Sequence, residues 1–322
     1  MTRITEGTEV GRKLFATTSV PSVIVSNAVE VLTAAGIPPE DARRDAVLLA
    51  RHRLGWDAAR WLTDARSAAP AGFEAAFRAD IARRARREPL AYITGEREFY
   101  GRSFLVTPDV LIPRQETELL VEEAFRVRGD GGQHRPSSEL ADLRPLRDAI
   151  IVDVGTGSGC LGITLALEWP DAHIAATDVS PAALDVARAN AERFGVAERI
   201  ELLEGAWLGR PDLRPWLVVA NPPYVAERDR ATLAPEVRDY EPAEALFGGP
   251  DGLDAIRQLV PAAARALAPG GWLLMEIGAG QDREIAGLVA DAGLTLRRIV
   301  PDLQSIPRVV VAQLPLLQDH RG

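Results

Sequence analysis

"IIVDVGTGSGCLGITLALEW", residues 150–169, decides how the chain is read. A β-branched apolar run at 150–154 meets three glycines alternating with small polar residues, and an apolar helical pattern starts at Cys160. A buried strand that turns on glycines straight into a helix is the opening of a parallel βαβ unit. The alternation continues outward. Strands are predicted at 150–154, 173–178, 200–204, 216–220, 272–277, 294–300 and 308–314, and helical periods such as "PAALDVARANAERFG" and "QDREIAGLVADAG" fill most gaps. The class this implies is α/β: a Rossmann-like, mostly parallel, seven-stranded sheet with helices on both faces.

Upstream the text changes. Apolar residues recur at three- and four-residue steps in "VIVSNAVEVLTAAGI" and "PPEDARRDAVLLARHRLGW", and the pattern runs on through "AGFEAAFRADIARRARRE". "PLAYITGEREFYGRSFLVTPDVLIPR" then alternates aromatic and β-branched residues around Gly95 and Gly101, the signature of a hairpin. The expected organisation is a tail at 1–21, a small helical domain at 22–92, a β-hairpin linker at 93–112 and the α/β domain at 113–322. Residues 128–148, rich in Gly, Pro and charge, read as a long exposed loop. Arg83, Arg84, Arg86 and Arg87 read as a solvated helix face, with a dock for RNA or an acidic partner as the alternative.

Composition narrows the function. A net charge of -9 on 322 residues argues against holding nucleic acid through its phosphates, which takes Lys and Arg. One cysteine excludes an internal disulfide, and four scattered histidines give no metal site. No apolar run is long enough for a membrane span, and the first twenty residues lack the apolar core of a secretory signal. A cytoplasmic protein is expected.

Gly155, Thr156, Gly157, Ser158 and Gly159 form G-x-G-x-G. A dinucleotide fingerprint needs its third glycine at 160, where this chain has Cys160. No Gly-Lys-Ser/Thr follows either, so this is no phosphate-gripping P-loop. Asp178 ends the next strand, where a carboxylate can accept both hydroxyls of a ribose. Loop and acid together suggest an adenosine-bearing ligand without a pyrophosphate, a description that S-adenosylmethionine fits. Cys160 itself reads as a small buried apolar residue.

"LVVANPPYVAE", 217–227, ends another strand in the same sheet. The strand tip belongs in the crevice at the carboxyl ends of the strands. Pro222 and Pro223 remove two N–H groups and hold the backbone extended. Asn221 adds a side-chain acceptor, and Tyr224 a flat face. Two rigid acceptors can grip an –NH2 group, aim its lone pair at a methyl donor and stabilise the charge that develops. No strong general base is evident beside them.

The residues "DVGTGSG", "ATDVS" and "NPPYV" resemble the class I S-adenosylmethionine-dependent methyltransferases that modify planar amino groups. Asn-Pro-Pro-Tyr is shared by DNA adenine-N6, RNA guanine-N2 and protein glutamine-N5 enzymes. "PLAYITGEREFYG", "LIPRQETELLVEEA" and "YEPAEALFGGPDGLD" resemble, more narrowly, the HemK/PrmC family of peptide chain release factor glutamine methyltransferases. The resemblance implies that Gly155 to Gly159 line the methionine part of S-adenosylmethionine, that Asp178 holds its ribose and that Trp207 lies beside its adenine. It further implies that Asn221 and the Pro222 carbonyl bind the target amide, that Pro223 and Tyr224 wall the slot, and that Pro113, Arg114 and Glu118 lie near the cofactor. The implied partner is a release factor carrying a Gly-Gly-Gln loop, with the helical domain against its body. A nucleic-acid amino-methyltransferase and a non-catalytic cofactor-binding protein are the alternatives.

The chain departs from that pattern at Ala206, where the family often has Asp, at Gln304 and Ser305 before "IPRVV", and in the length of the 128–148 loop. That loop also holds Gly131-Gly132-Gln133, the tripeptide of the family's substrate.

Overall fold

A computed structural model describes residues 20–129, 149–208, 210 and 212–316. The 128–148 loop is outside the described residues from 130 on, and so are Gly131-Gly132-Gln133 and nearly all of the expected tail. The chain forms two compact units, Met1–Thr94 and Gly95–Gly322.

The first unit is helical: α1 (Pro21–Ala34), α2 (Pro39–Leu54), α3 (Ala58–Asp64), α4 (Phe73–Ala85) and α5 (Leu90–Thr94). α1 and α2 each start on a proline, whose missing N–H costs nothing in the first turn. Glu40 and Asp41 open α2, Arg51, His52 and Arg53 close it, and Gly55 ends it in the left-handed conformation, so charge and cap both favour the observed limits. Leu32, Leu49 and Phe77 are fully buried in its core. The text at 89–94, expected to begin the hairpin, is helical instead. Pro89 opens the turn by accepting from the amides of Tyr92 and Ile93, and Gly95 at φ 76° stops it.

The arginine run is a solvated face only in part: Arg86 is exposed, but Arg83, Arg84 and Arg87 are tied to partners within the helical unit. Arg84 is buried, and its Nε lies 2.8 Å from Asp45 Oδ2. Arg83 donates to Glu88 at 2.9 Å, and Arg87 to the Gly36 carbonyl at 2.9 Å. A second buried acid, Asp80, is paired with Arg53, whose Nη2 donates to it at 2.6 Å.

The second unit starts with a hairpin, β1 (Glu96–Phe99) and β2 (Arg102–Leu105). Its two turn residues, Tyr100 and Gly101, have φ of 51° and 72°, in the positive range that a type I′ turn needs. Then follow α6 (Glu118–Arg128), β3 (Ile150–Val154), α7 (Cys160–Glu168), β4 (His173–Asp178), α8 (Pro181–Arg193), β5 (Ile200–Glu204) and β6 (Leu217–Ala220). After β6 come α9 (Pro235–Arg238), α10 (Ala243–Leu246), α11 (Asp254–Ala266), β7 (Trp272–Glu276), α12 (Asp282–Asp291), β8 (Thr295–Pro301) and β9 (Pro307–Gln313). The sheet order is β5-β4-β3-β6-β7-β9-β8. β9 runs antiparallel to β7 and β8, and the other pairs are parallel. Alternate β3 residues feed different cores: Ile151 joins Leu161, Leu165 and Trp169, whereas Val152 joins Ile256, Leu259 and Ile285. Both faces are therefore covered, as a parallel sheet requires.

"DLQSIPRVV" is the β8–β9 turn. Asp302 Oδ1 accepts from the amides of Gln304 and Ile306, Asp302 Oδ2 accepts from Arg308 Nε at 2.9 Å, and Ser305 takes φ 65°. Among the described residues no helix is long and apolar enough to cross a membrane.

The Arg84–Asp45 pair makes a test of the helical unit. Breaking one side of a buried pair strands a charge and costs about 3–5 kcal/mol. Asp45→Asn is therefore expected to speed amide hydrogen exchange across α2 and α4 strongly while leaving the peptides of β3 and β4 unchanged. Equal protection in variant and wild type would show that the pair contributes nothing.

Candidate active site

Strand order reverses between β3 and β6, and a crevice opens at such a switch point beyond the carboxyl ends of the strands. Register fixes what meets there. Val154 is level with Thr177, Ala220 and, through Ala220, Met275. The residues that follow (Gly155, Asp178, Asn221 and Glu276) come side by side at this edge, Asp178 and Glu276 as the last paired residues of β4 and β7.

A cavity in this crevice is lined by Gly155–Ser158, Asp178, Val179, Ala206, Trp207, Asn221, Pro222 and Pro223, together with Pro113 and Thr117. Gly155 and Gly157 have φ of 68° and 54°, and a Cβ on either would meet open space. They let backbone approach whatever fills the cavity. Gly159 differs: it is not among the lining residues, and a Cβ there would lie 2.7 Å from Ile163 and 3.3 Å from Ala187. It is the packing glycine, where the loop enters α7 against α8. Asp178 accepts from Gly157 N and Ser180 N, one per carboxylate oxygen at 2.9 Å each, so both oxygens keep a lone pair for a ligand. Trp207 is held in the left-handed region at φ 58°, with its carbonyl accepting from Thr177 Oγ1.

The donor set tests which nucleotide fits. The lining contains Asp109, Asp178 and Glu244 but no Lys or Arg. A pyrophosphate would find no counter-charge, whereas the ribose, adenine and cationic sulfonium of S-adenosylmethionine find a carboxylate, an indole and an acidic wall.

Asn221 Nδ2 donates to Thr117 Oγ1 at 3.1 Å. Thr117 Oγ1 donates to Glu276 Oε2 at 2.6 Å, and Tyr224 Oη donates to Glu276 Oε1 at 2.8 Å. Glu276 is buried at the end of β7, and burial pushes its carboxyl above the usual range. The Tyr224 hydroxyl is pushed up as well, by burial and by the neighbouring carboxylate, so it stays protonated. Tyr224 is not among the residues lining the cavity; its ring serves the anchor to Glu276. The Pro222 carbonyl accepts no backbone donor among the described residues.

Two expected neighbours of the site lie elsewhere. Arg114 Nη2 donates to buried Glu241 at 2.6 Å, and Glu241 also accepts from Ile112 N. That pair ties the stretch before α6 to the loop after Asn221. Glu118 accepts from Tyr100 N at 2.8 Å, satisfying the hairpin turn. Sequence reasoning missed Thr117, Glu241 and Glu276. The signal for Glu276 was one acid in the otherwise apolar "WLLMEI". Asn190 was missed too: its amide bonds both backbone groups of Leu105 and the Ser158 carbonyl, joining β2 to the glycine loop. Cys160 is buried, which pushes its thiol up to about 12.

This sheet, with its antiparallel last strands, glycine turn after β3 and acid at the end of β4, is the class I S-adenosylmethionine-dependent methyltransferase fold. The hMettl16 catalytic domain in complex with the MAT2A 3′UTR hairpin 6 shares it, with a TM-score of 0.52 at 15% identity over 74% of this chain and 83% of that one. Residues 24–95 match the PrmC N-terminal domain, and residues 139–237 the methyltransferase small domain. Release factor glutamine methyltransferases of Cereibacter sphaeroides and Koribacter versatilis are 46% and 41% identical to the chain, covering 89% and 90% of it and 96% of each relative. The one from Burkholderia pseudomallei is 40% identical over 90% of this chain and 97% of its own length. The chain belongs to the release factor glutamine methyltransferase family.

Asp153, under the glycine loop, gives a pH test. Its Oδ2 accepts from Thr156 Oγ1 at 2.7 Å and from Gly162 N at 2.9 Å, and Oδ1 has no partner. Burial raises its carboxyl to about 6. A folded-state value above the unfolded one favours the protonated acid, so this contribution to stability is complete below about pH 4 and is lost as pH rises through about 6. Asp153→Asn keeps an acceptor and removes the charge. Its melting temperature at pH 7.5 is expected to equal or exceed that of wild type, with any gain shrinking as the pH falls to 4. A deficit of the same size at both pH values would contradict this.

Proposed function

We propose that the protein transfers the methyl group of S-adenosylmethionine to the side-chain amide nitrogen (N5) of the glutamine in the Gly-Gly-Gln loop of a peptide chain release factor, in the cytoplasm. The observation that carries the reading is a pair of acceptors at the cavity wall, Asn221 Oδ1 and the Pro222 carbonyl, neither engaged by a donor among the described residues. Family membership supplies the substrate class.

In this reading Gly155, Thr156, Gly157 and Ser158 flank the methionine part, Asp178 accepts the ribose hydroxyls, and Trp207 lies beside the adenine. S-adenosylmethionine, when bound, supplies an electrophilic methyl group. Asn221 Oδ1 and the Pro222 carbonyl each accept one N–H of the substrate amide, and Pro223 walls the slot. An amide nitrogen is a poor nucleophile because its lone pair is delocalised. Holding both hydrogens fixes the plane of the –NH2 group and aims the lone pair, which is where positioning contributes most. The same acceptors stabilise the positive charge as the new N–C bond forms and the S–C bond to the methyl group breaks, leaving S-adenosylhomocysteine; the nitrogen then releases its extra proton to water. Glu276 is kept from the nitrogen by Thr117 and Tyr224, so it does not serve as its base. Arg83, Arg84 and Arg87 are engaged inside the helical unit and lend no support to a nucleic-acid substrate.

The test is transfer of labelled methyl to a purified release factor and to its Gln→Ala variant in the Gly-Gly-Gln loop. Label is expected on the wild-type factor alone, with Asn221→Ala lowering turnover about 10²- to 10³-fold, the cost of one such interaction. Label on the Gln→Ala factor, or full turnover by Asn221→Ala, would overturn the assignment.

A further inference from the structure

Thr117 stands at the N-cap of α6, yet its side chain caps nothing. A threonine there ordinarily accepts from an amide of the first turn. This one is buried and turned to Glu276 and Asn221 instead. We infer that Thr117 and Glu276 are positioning residues: together they set which way round the Asn221 carboxamide faces. The inference rests on the assignment of Asn221 Oδ1 as an acceptor for the substrate amide.

The argument is one of proton inventory. A threonine hydroxyl has one proton, and Glu276, whose two oxygens both accept, one from Thr117 and one from Tyr224, has none to give. The Thr117 proton lies on Glu276 Oε2 at 2.6 Å, within the range of a charge-assisted bond. Towards Asn221 the Thr117 oxygen can then only accept. Asn221 must present Nδ2 to it, as it does at 3.1 Å, and its Oδ1 is turned the other way. Rotating the carboxamide by half a turn would set acceptor against acceptor at Thr117 and donor against donor at a substrate –NH2 group.

The carboxylate is itself prevented from turning. Its second oxygen is held by Tyr224 Oη at 2.8 Å. The Tyr224 carbonyl accepts from Gln281 Nε2 at 3.0 Å, and Gln281 Oε1 accepts from Gly278 N at 2.8 Å, two residues past Glu276. A Cβ on Gly278 would lie 2.9 Å from Gln281 Oε1 and 3.2 Å from the Tyr224 ring, so the ring of contacts closes tightly. Start of α6, end of β7 and the loop after β6 thus converge on one amide orientation.

Thr117→Val keeps the shape and removes the hydroxyl; Thr117→Ser keeps the hydroxyl. With labelled methyl transfer to the release factor, Thr117→Val is expected to lower kcat about 10- to 100-fold, the range for losing a charge-coupled hydrogen bond. Affinity for S-adenosylmethionine should change less than about threefold, and Thr117→Ser should recover most of the turnover. If Thr117 acts through Asn221, Thr117→Val in an Asn221→Ala background should add nothing. A second readout needs no turnover. The chain has three asparagines, Asn27, Asn190 and Asn221. Selective ¹⁵N-asparagine labelling therefore yields three side-chain NH2 pairs, of which that of Asn221 should exchange slowly in wild type and quickly in Thr117→Val. If Thr117→Val does not fold, Thr117→Ala, which also removes the hydroxyl, takes its place with the same expectations. Unchanged kcat, a Thr117→Ser as impaired as Thr117→Val, or losses that multiply in the double variant would each overturn the inference. A wild-type enzyme that labels no release factor would instead remove the reading of Asn221, and this inference with it.

Discussion

β3 and β6 end level with each other, Val154 beside Ala220, and everything chemical in the second unit is hung from that register. Parallel pairing puts the strand ends on one side of the sheet, and reversal of order between these two strands opens a crevice there. The glycine turn, the ribose-side acid, the Asn-Pro-Pro-Tyr loop and the β7 carboxylate each come from a different strand. A slip of one residue in any pair would turn the side chains after it to the opposite face. Apolar packing on both faces is what prevents that slip: β3 and β6 are almost wholly buried, and each alternate residue belongs to a different core.

Around this frame the structure satisfies buried charge by pairing across long stretches of chain. Glu276 takes Thr117 and Tyr224, Glu241 takes Arg114, and Asp45 takes Arg84. Unpaired, each would carry a desolvation cost of several kcal/mol. Paired, each joins two segments and limits how they can move. The loop after β6 is held in this way from three directions, by Glu276, by Gln281 and by the Arg114–Glu241 tie.

What the sequence disclosed, and what it did not, follows from the range of the interactions. The seven strands, the glycine turn and the Asn-Pro-Pro-Tyr exit were legible because each is written in consecutive residues: β-branched runs, glycine at positive φ, proline without an N–H. Thr117 and Glu276 are 159 positions apart, and Arg114 and Glu241 127 apart. Their meeting depends on strand register and helix placement, which no local pattern encodes. Arg84 misled for the related reason that a charge run looks solvated until the buried partner, Asp45, is known. The glycines divide likewise. Gly157 and Gly159 look equivalent in text, yet one faces open space and the other faces Ile163 and Ala187. Hairpin and helix at 89–105 were confused because "LAYIT" has the β-branched and aromatic content of a strand, while Pro89 and Gly95 delimit a single helical turn.

Cys160 is the chain's one thiol, and it sits where the glycine loop becomes α7. Burial raises its thiol to about 12, so little of it is thiolate at neutral pH and thiol reagents react with it slowly. Cys160 also lines the cavity, so a small reagent meets it by entering that crevice. The residue is therefore a built-in gauge of whether the crevice is filled: the rate at which a thiol reagent is consumed falls when a ligand occupies the cavity, with no label introduced by mutation.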